Sequence, residues 1–214
     1  KIIQTAMIIN PKRKYVFICV PKTGSTTLSK HFYKVDDLGV RKTWLKEKWH
    51  WPMRDIIRDF SKEFPLMDQY FKFAYHRNPW DRMISSWIEF TTDRGHLLTW
   101  SQPLKDQFKT FEDFVLNFEE SVWCQHINFQ PTSFYTHTRK GKSLVDHIAK
   151  YDDWHNETKY IFEKIGLRIE DMEQKRYRKT DRHVDYRKYY NNDKMIEVVN
   201  RYFGKDIDKF GDKF

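Results

Sequence analysis

Apolar and polar positions in this chain switch between a strand pattern and a helical one. Tyr15 to Val20 is an unbroken apolar run within residues 14–20, as expected of a central strand covered on both faces. After a polar turn the period changes. Leu28 and Phe32, four residues apart, mark the inner face of a helix over residues 26–34. Residues 71–75 read as a second short buried strand. They lead into a helix over 79–90, with Pro79 suited to its first turn. Residues 44–60, rich in Trp and charge, show no clean period, and 91–109 read as a loop. Thr110, three residues before Asp113, resembles a capping box. Phe111, Phe114, Val115 and Phe118 then form a helical stripe suited to a core. A further strand is expected over 144–151, then a helix over 153–165 capped by Gly166. A basic connection over 176–183 precedes a last helix over 193–203, closed by Gly204. Strands separated by helices predict an α/β fold, one domain over residues 1–214, with a central parallel sheet flanked by helices.

Two blocks carry candidate chemistry. The first is the turn Pro21-Lys22-Thr23-Gly24-Ser25-Thr26-Thr27, between the first strand and the first helix. Gly24 lets backbone approach a ligand closely. The amides that follow open a helix, where the dipole favours an anion. Lys22 adds a full charge, and Ser25, Thr26 and Thr27 add hydroxyl donors. The usual nucleotide loop, G-x-x-x-x-G-K-[ST], does not fit, because here the lysine precedes the glycine. The second block is Arg77-Asn78-Pro79-Trp80-Asp81-Arg82-Met83-Ile84-Ser85. Arg77 offers a planar fork for phosphate, and Ser85 lies about two helical turns along. Ligands in parallel sheets sit beyond the carboxyl ends of strands, where both Lys22 and Arg77 fall. The two anion positions are therefore expected at one edge of the sheet.

The first block resembles the 5′-phosphosulfate loop of sulfotransferases that use 3′-phosphoadenosine 5′-phosphosulfate (PAPS) as donor. The second matches the family's 3′-phosphate pattern, Arg-[Asn/Asp]-Pro-x-x-Arg-x-x-Ser, in full. The likeness spans residues 14–214. Leu144 to Trp154 looks like the family's late strand, with Asp152-Asp153-Trp154 in place of the usual aromatic-Glu-Asn-Leu ending. Residues 186–211 are similar to its closing segment, an aromatic pair and a helix ending in Asp-Ile-x-x-Phe-Gly. The carbohydrate branch, such as the heparan-sulfate and chondroitin O-sulfotransferases, is the nearest in kind. The resemblance implies sulfuryl transfer from PAPS to a glycan hydroxyl, through a P-loop-like strand-loop-helix and without a metal. It assigns PAPS binding to Lys22, Thr23, Gly24, Ser25, Thr26, Thr27, Arg77 and Ser85. Lys22 would also stabilise the leaving oxygen. Related enzymes close a basic loop over PAPS before the final helix, which singles out Arg178 and Lys179. For the base, histidine titrates nearest working pH. His50 stands between the two blocks, as the base does in histidine-using relatives, and Glu47 is the next candidate. His76 would point away from Arg77 on an extended strand, and His31 reads as structural.

Charge narrows the partners. With 39 Lys and Arg against 30 Asp and Glu, the net charge of +9 favours a polyanion; it points to a glycan or small saccharide acceptor, an acidic one in particular, with small alcohols and lipid-linked sugars as the alternatives. A basic nucleic-acid-binding protein is the alternative from another class, but no nucleic-acid motif is present and no such partner is expected. An atypical nucleotide kinase, needing ATP and Mg²⁺, is a third reading. The 2 cysteines make no disulfide framework, Cys19 reads as a small core residue, and a reducing, cytoplasmic compartment is the default. The Golgi lumen is the alternative for a domain excised from an anchored protein. No apolar stretch approaches the roughly 20 residues a membrane span needs, and no signal peptide is visible.

Overall fold

The computed structural model describes residues 7–35, 50–92, 102–172 and 184–214. Its chain groups into two compact units. One comprises Lys1–His76 with Thr132–Arg178, the other Arg77–Pro131 with Lys179–Phe214.

The first unit is built on a four-stranded sheet in the order β1 (Ile8–Asn10), β2 (Tyr15–Ile18), β3 (Phe71–His76), β4 (His147–Lys150). β2, β3 and β4 run parallel, with Ile18 opposite Ala74 and His76 opposite Lys150. The α/β class and the parallel centre are as expected. β1 is an addition: it pairs antiparallel with β2 through a tight turn in which Asn10 Oδ1 accepts from Arg13 N–H at 2.9 Å. Three residues are too few to show a period.

Both faces of β2 are buried. Helix α1 (Ser25–Val35) lays Leu28 and Phe32 onto Phe17 and Phe73, and neither side chain retains exposed surface. Phe17 stacks on Phe73 with ring centroids 5.2 Å apart, and Phe32 meets Phe17 edge-on at 5.8 Å. Ile161, Phe162 and Ile165 at the end of α7 (Trp154–Lys164) complete this core, and Gly166, at φ +70°, stops that helix as expected. Residues 44–60, which showed no clean period, contain α2 (Met53–Phe60), which buries Met53, Ile56 and Phe60. α6 (Thr132–Thr136) joins this unit through its start, where Thr132 Oγ1 pairs with His76 Nδ1 at 2.9 Å.

The second unit is helical and holds α3 (Pro79–Thr91), α4 (Gln102–Gln107), α5 (Phe111–Leu116) and α8 (Asp193–Phe210). Trp80, Ile84, Trp87, Phe90, Phe114, Phe118, Val199 and Phe203 form its core. α5 starts as predicted, with Thr110 Oγ1 accepting from Asp113 N–H at 3.0 Å. Two expectations are corrected. Residues 102–107, within the stretch read as a loop, are helical, with Leu104 fully buried. The last helix does not stop at Gly204. It runs on to a left-handed cap at Gly211, at φ +68°. An interior glycine costs a helix only about 1 kcal/mol relative to alanine, and apolar packing of Phe203 and Ile207 on either side outweighs it. No helix among the described residues is long and apolar enough to cross a membrane.

Candidate active site

The strand-loop-helix of the first unit takes shape from two backbone reversals. Lys22 at φ +65° and Gly24 at φ +76° both lie in the left-handed region. For a lysine that conformation costs about 1 kcal/mol or more, a cost met at functional turns when the surroundings hold it in place. Thr23 does part of the holding. Its hydroxyl donates to Val20 O at 2.8 Å, so the side chain of this predicted ligand shapes the loop from within. The first bond of α1 is Thr27 N–H to Gly24 O at 2.9 Å. The amides of Ser25 and Thr26 therefore have no partner within the helix and stand at its positive end. Lys22 and Thr26 are half-buried, and Ser25 and Thr27 are buried.

Gly24 is also where aromatic rings press on the loop. A methyl group placed on its Cα would lie 2.6 Å from Trp154 Cζ3 and 3.3 Å from Tyr151 Cε2. Trp154 in turn rests on the buried Tyr75, at 4.8 Å between centroids, and Tyr75 is anchored by a 2.9 Å hydrogen bond between its hydroxyl and Thr158. This support from the end of β4 was not read from the sequence. Nothing local pairs position 24 with position 154; the parallel register of β3 and β4 does.

The candidate base is tied to the same strand end. His50 Nδ1 donates to the carbonyl oxygen of Cys19 at 2.6 Å. A carbonyl only accepts, so Nδ1 carries the proton, and in the neutral ring Nε2 carries the lone pair. The ring is half-buried. Cys19 itself is packing: burial pushes its thiol up to about 12, beyond the reach of neutral-pH chemistry. His31 stacks on Phe162 at 5.0 Å, and His76 is buried against Thr132; both are structural. Glu47, Arg178 and Lys179 lie outside the described residues.

The second candidate block lies within the second unit, at the start of α3. Asn78 caps the helix by accepting from Trp80 N–H at 3.1 Å. Arg77, Asp81 and Ser85 come together on one side of it. Arg77 Nη1 donates to Ser85 Oγ at 3.1 Å, and Arg77 Nε donates to Asp81 Oδ2 at 2.7 Å. The predicted pair Arg77 and Ser85 is thus in direct contact. Asp81 was not singled out, although its i,i+4 spacing from Arg77 was a readable signal. Arg82 turns elsewhere: Nη2 donates to Gln130 O at 2.7 Å, and its guanidinium covers the Phe203 ring. Asn78 Nδ2 donates to Lys213 O at 2.9 Å, while Phe214 packs edge-on against Trp80, Tyr186 and Tyr190. The Arg-Asn-Pro turn is thereby pinned from far along the chain. Among the described residues no group of three or more His, Cys, Asp or Glu side chains is placed to hold a metal ion.

Compared with known families, residues 5–211 match the model described as the sulfotransferase family. No curated protein and no solved structure matches the chain.

Proposed function

The chain belongs to the sulfotransferase family and transfers a sulfuryl group; from that premise we propose that its donor is PAPS and its acceptor a hydroxyl group of a saccharide, an acidic glycan in particular. The reading rests above all on the turn after β2, where two left-handed residues, a lysine and the open end of α1 converge. In it, Lys22, the Gly24–Thr27 backbone and the Ser25, Thr26 and Thr27 hydroxyls take the 5′-phosphosulfate. Arg77 and Ser85 take the 3′-phosphate. Such a donor set suits multiply charged oxyanions, with charge-assisted bonds from lysine and arginine and a helix end for the remaining charge.

The chemistry follows from these assignments. Sulfuryl transfer, like phosphoryl transfer, is an in-line displacement with charge spread over equatorial oxygens. His50 Nε2 takes the proton of the acceptor hydroxyl as its oxygen bonds to sulfur. The bond between sulfur and the 5′-phosphate oxygen breaks, and Lys22 Nζ meets the charge that grows on the leaving oxygen. The hydrogen bond to Cys19 O favours this role by fixing the imidazole in the tautomer a base needs. The net charge of +9 supports an acidic acceptor.

Calorimetry with adenosine 3′,5′-bisphosphate tests the donor assignment. Wild type should bind it, and Lys22→Ala or Arg77→Ala should each weaken binding by about 2 kcal/mol, as for a lost charge-assisted contact. Transfer of labelled sulfate from PAPS to acidic and neutral oligosaccharides, without added Mg²⁺, tests the rest. A protein that ignores the bisphosphate but binds random DNA, or that needs ATP and Mg²⁺, would overturn the reading.

A further inference from the structure

Asp81 is the buried carboxylate of the second block, and this chemistry leaves it without a task. It lies in the first turn of α3, and its carboxylate sits 2.7 Å from Arg77 Nε, with both side chains about nine-tenths buried. By contrast, the pairs Arg58 with Asp59, Arg168 with Glu170 and Arg187 with Asp185 keep roughly a third to three-quarters of their side-chain surface in solvent. A buried carboxylate is a poor neighbour for an incoming phosphate, because it cancels part of the cation's attraction. Geometry offers a return for that loss. Asp81 holds Nε, Ser85 Oγ holds Nη1, and two bonds on two different nitrogens fix the plane of the guanidinium.

Resting on the reading that Arg77 and Ser85 take the 3′-phosphate, we propose that Asp81 is a positioning residue. It locks the Arg77 fork by its Nε edge, so that the Nη groups and the Ser85 hydroxyl meet that phosphate together. Its contribution is selectivity for a nucleotide with a 3′-phosphate over one without it, rather than affinity for nucleotides in general.

The test compares calorimetric affinities for adenosine 3′,5′-bisphosphate and adenosine 5′-phosphate, and takes their ratio. Asp81→Ala should lower the ratio about tenfold, the measure of one charge-assisted hydrogen bond, with 5′-phosphate affinity unchanged. Asp81→Asn keeps an acceptor oxygen at the same reach and should stay within about threefold of wild type. Asp81→Glu keeps the charge but displaces the oxygen by a methylene, and should lower the ratio. A wild-type ratio in Asp81→Ala would mean that the acid only supports α3, and a raised ratio that it only repels phosphate; either overturns the proposal. If Asp81→Ala does not fold, a wild-type ratio in Asp81→Glu overturns it equally. Arg77→Ala separates the two levels. If it leaves the ratio intact, the 3′-phosphate assignment itself fails and the proposal with it. If it collapses the ratio while the Asp81 variants do not, only the positioning role is lost.

Discussion

Gly24→Ala is the substitution for which the structure gives the most definite consequences. Two separate costs arise. At φ +76° an alanine pays about 1 kcal/mol for the left-handed backbone. Its methyl group would also stand 2.6 Å and 2.7 Å from Trp154 Cζ3 and Cη2, well inside van der Waals contact. Trp154 has little room to retreat, because Tyr75 lies 4.8 Å away and is itself anchored to Thr158. Forcing an extra carbon into such packing costs about 1–3 kcal/mol. The sum, about 2–4 kcal/mol, would be read from urea unfolding at constant m. Affinity for adenosine 3′,5′-bisphosphate, measured alongside, should fall as the loop shifts. The Trp154→Leu background separates the costs: with the ring gone, Gly24→Ala should lose only the backbone part, about 1 kcal/mol. An equal loss in both backgrounds would refute the reasoning, since it would mean that the indole does not occupy the space the alanine needs.

His50→Ala should keep the affinity for adenosine 3′,5′-bisphosphate while lowering kcat by about 10²–10⁴-fold, the usual share of a general base; normal turnover would reassign the base. Phe214→Ala should lower stability by about 1–2 kcal/mol in thermal unfolding, since its ring meets Trp80, Tyr186 and Tyr190 edge-on. Burial depresses the His126 pKa below its ordinary 6.5, so the unfolded chain protonates first as pH falls. Stability should therefore decline as pH drops below about 6.5, and the decline should end once the folded ring also protonates. His126→Asn, which retains an acceptor for Asn128 N–H, should flatten that part of the profile in denaturant titrations at several pH values.

What could be read from the chain, and what could not, divides along the range of the interactions. The turn at Lys22 and Gly24 and the contact of Arg77 with Ser85 are local, set by a few consecutive residues or by helical spacing, and both were readable. The stripe Phe111, Phe114, Val115, Phe118 was readable as core for the same reason. Features made by partners far apart in sequence were not. Trp154 against Gly24, the Cys19 carbonyl on His50, and Lys213 with Phe214 around the Arg-Asn-Pro turn all depend on sheet register or on helix packing. Gly204 misled because a glycine near a helix end is a cap by propensity, and tertiary burial overrode it. β1 was too short to declare itself.

The anchor of His50 is main chain, and this has a practical side. Whatever amino acid occupies position 19 supplies the same oxygen, so no side-chain change there abolishes the partner of Nδ1. Only a shift of the strand would do so. The thiol at that position is therefore not needed to hold the imidazole. A Cys19→Ala protein would keep its imidazole seated and leave Cys124 as the sole remaining thiol, ready to take a spectroscopic label.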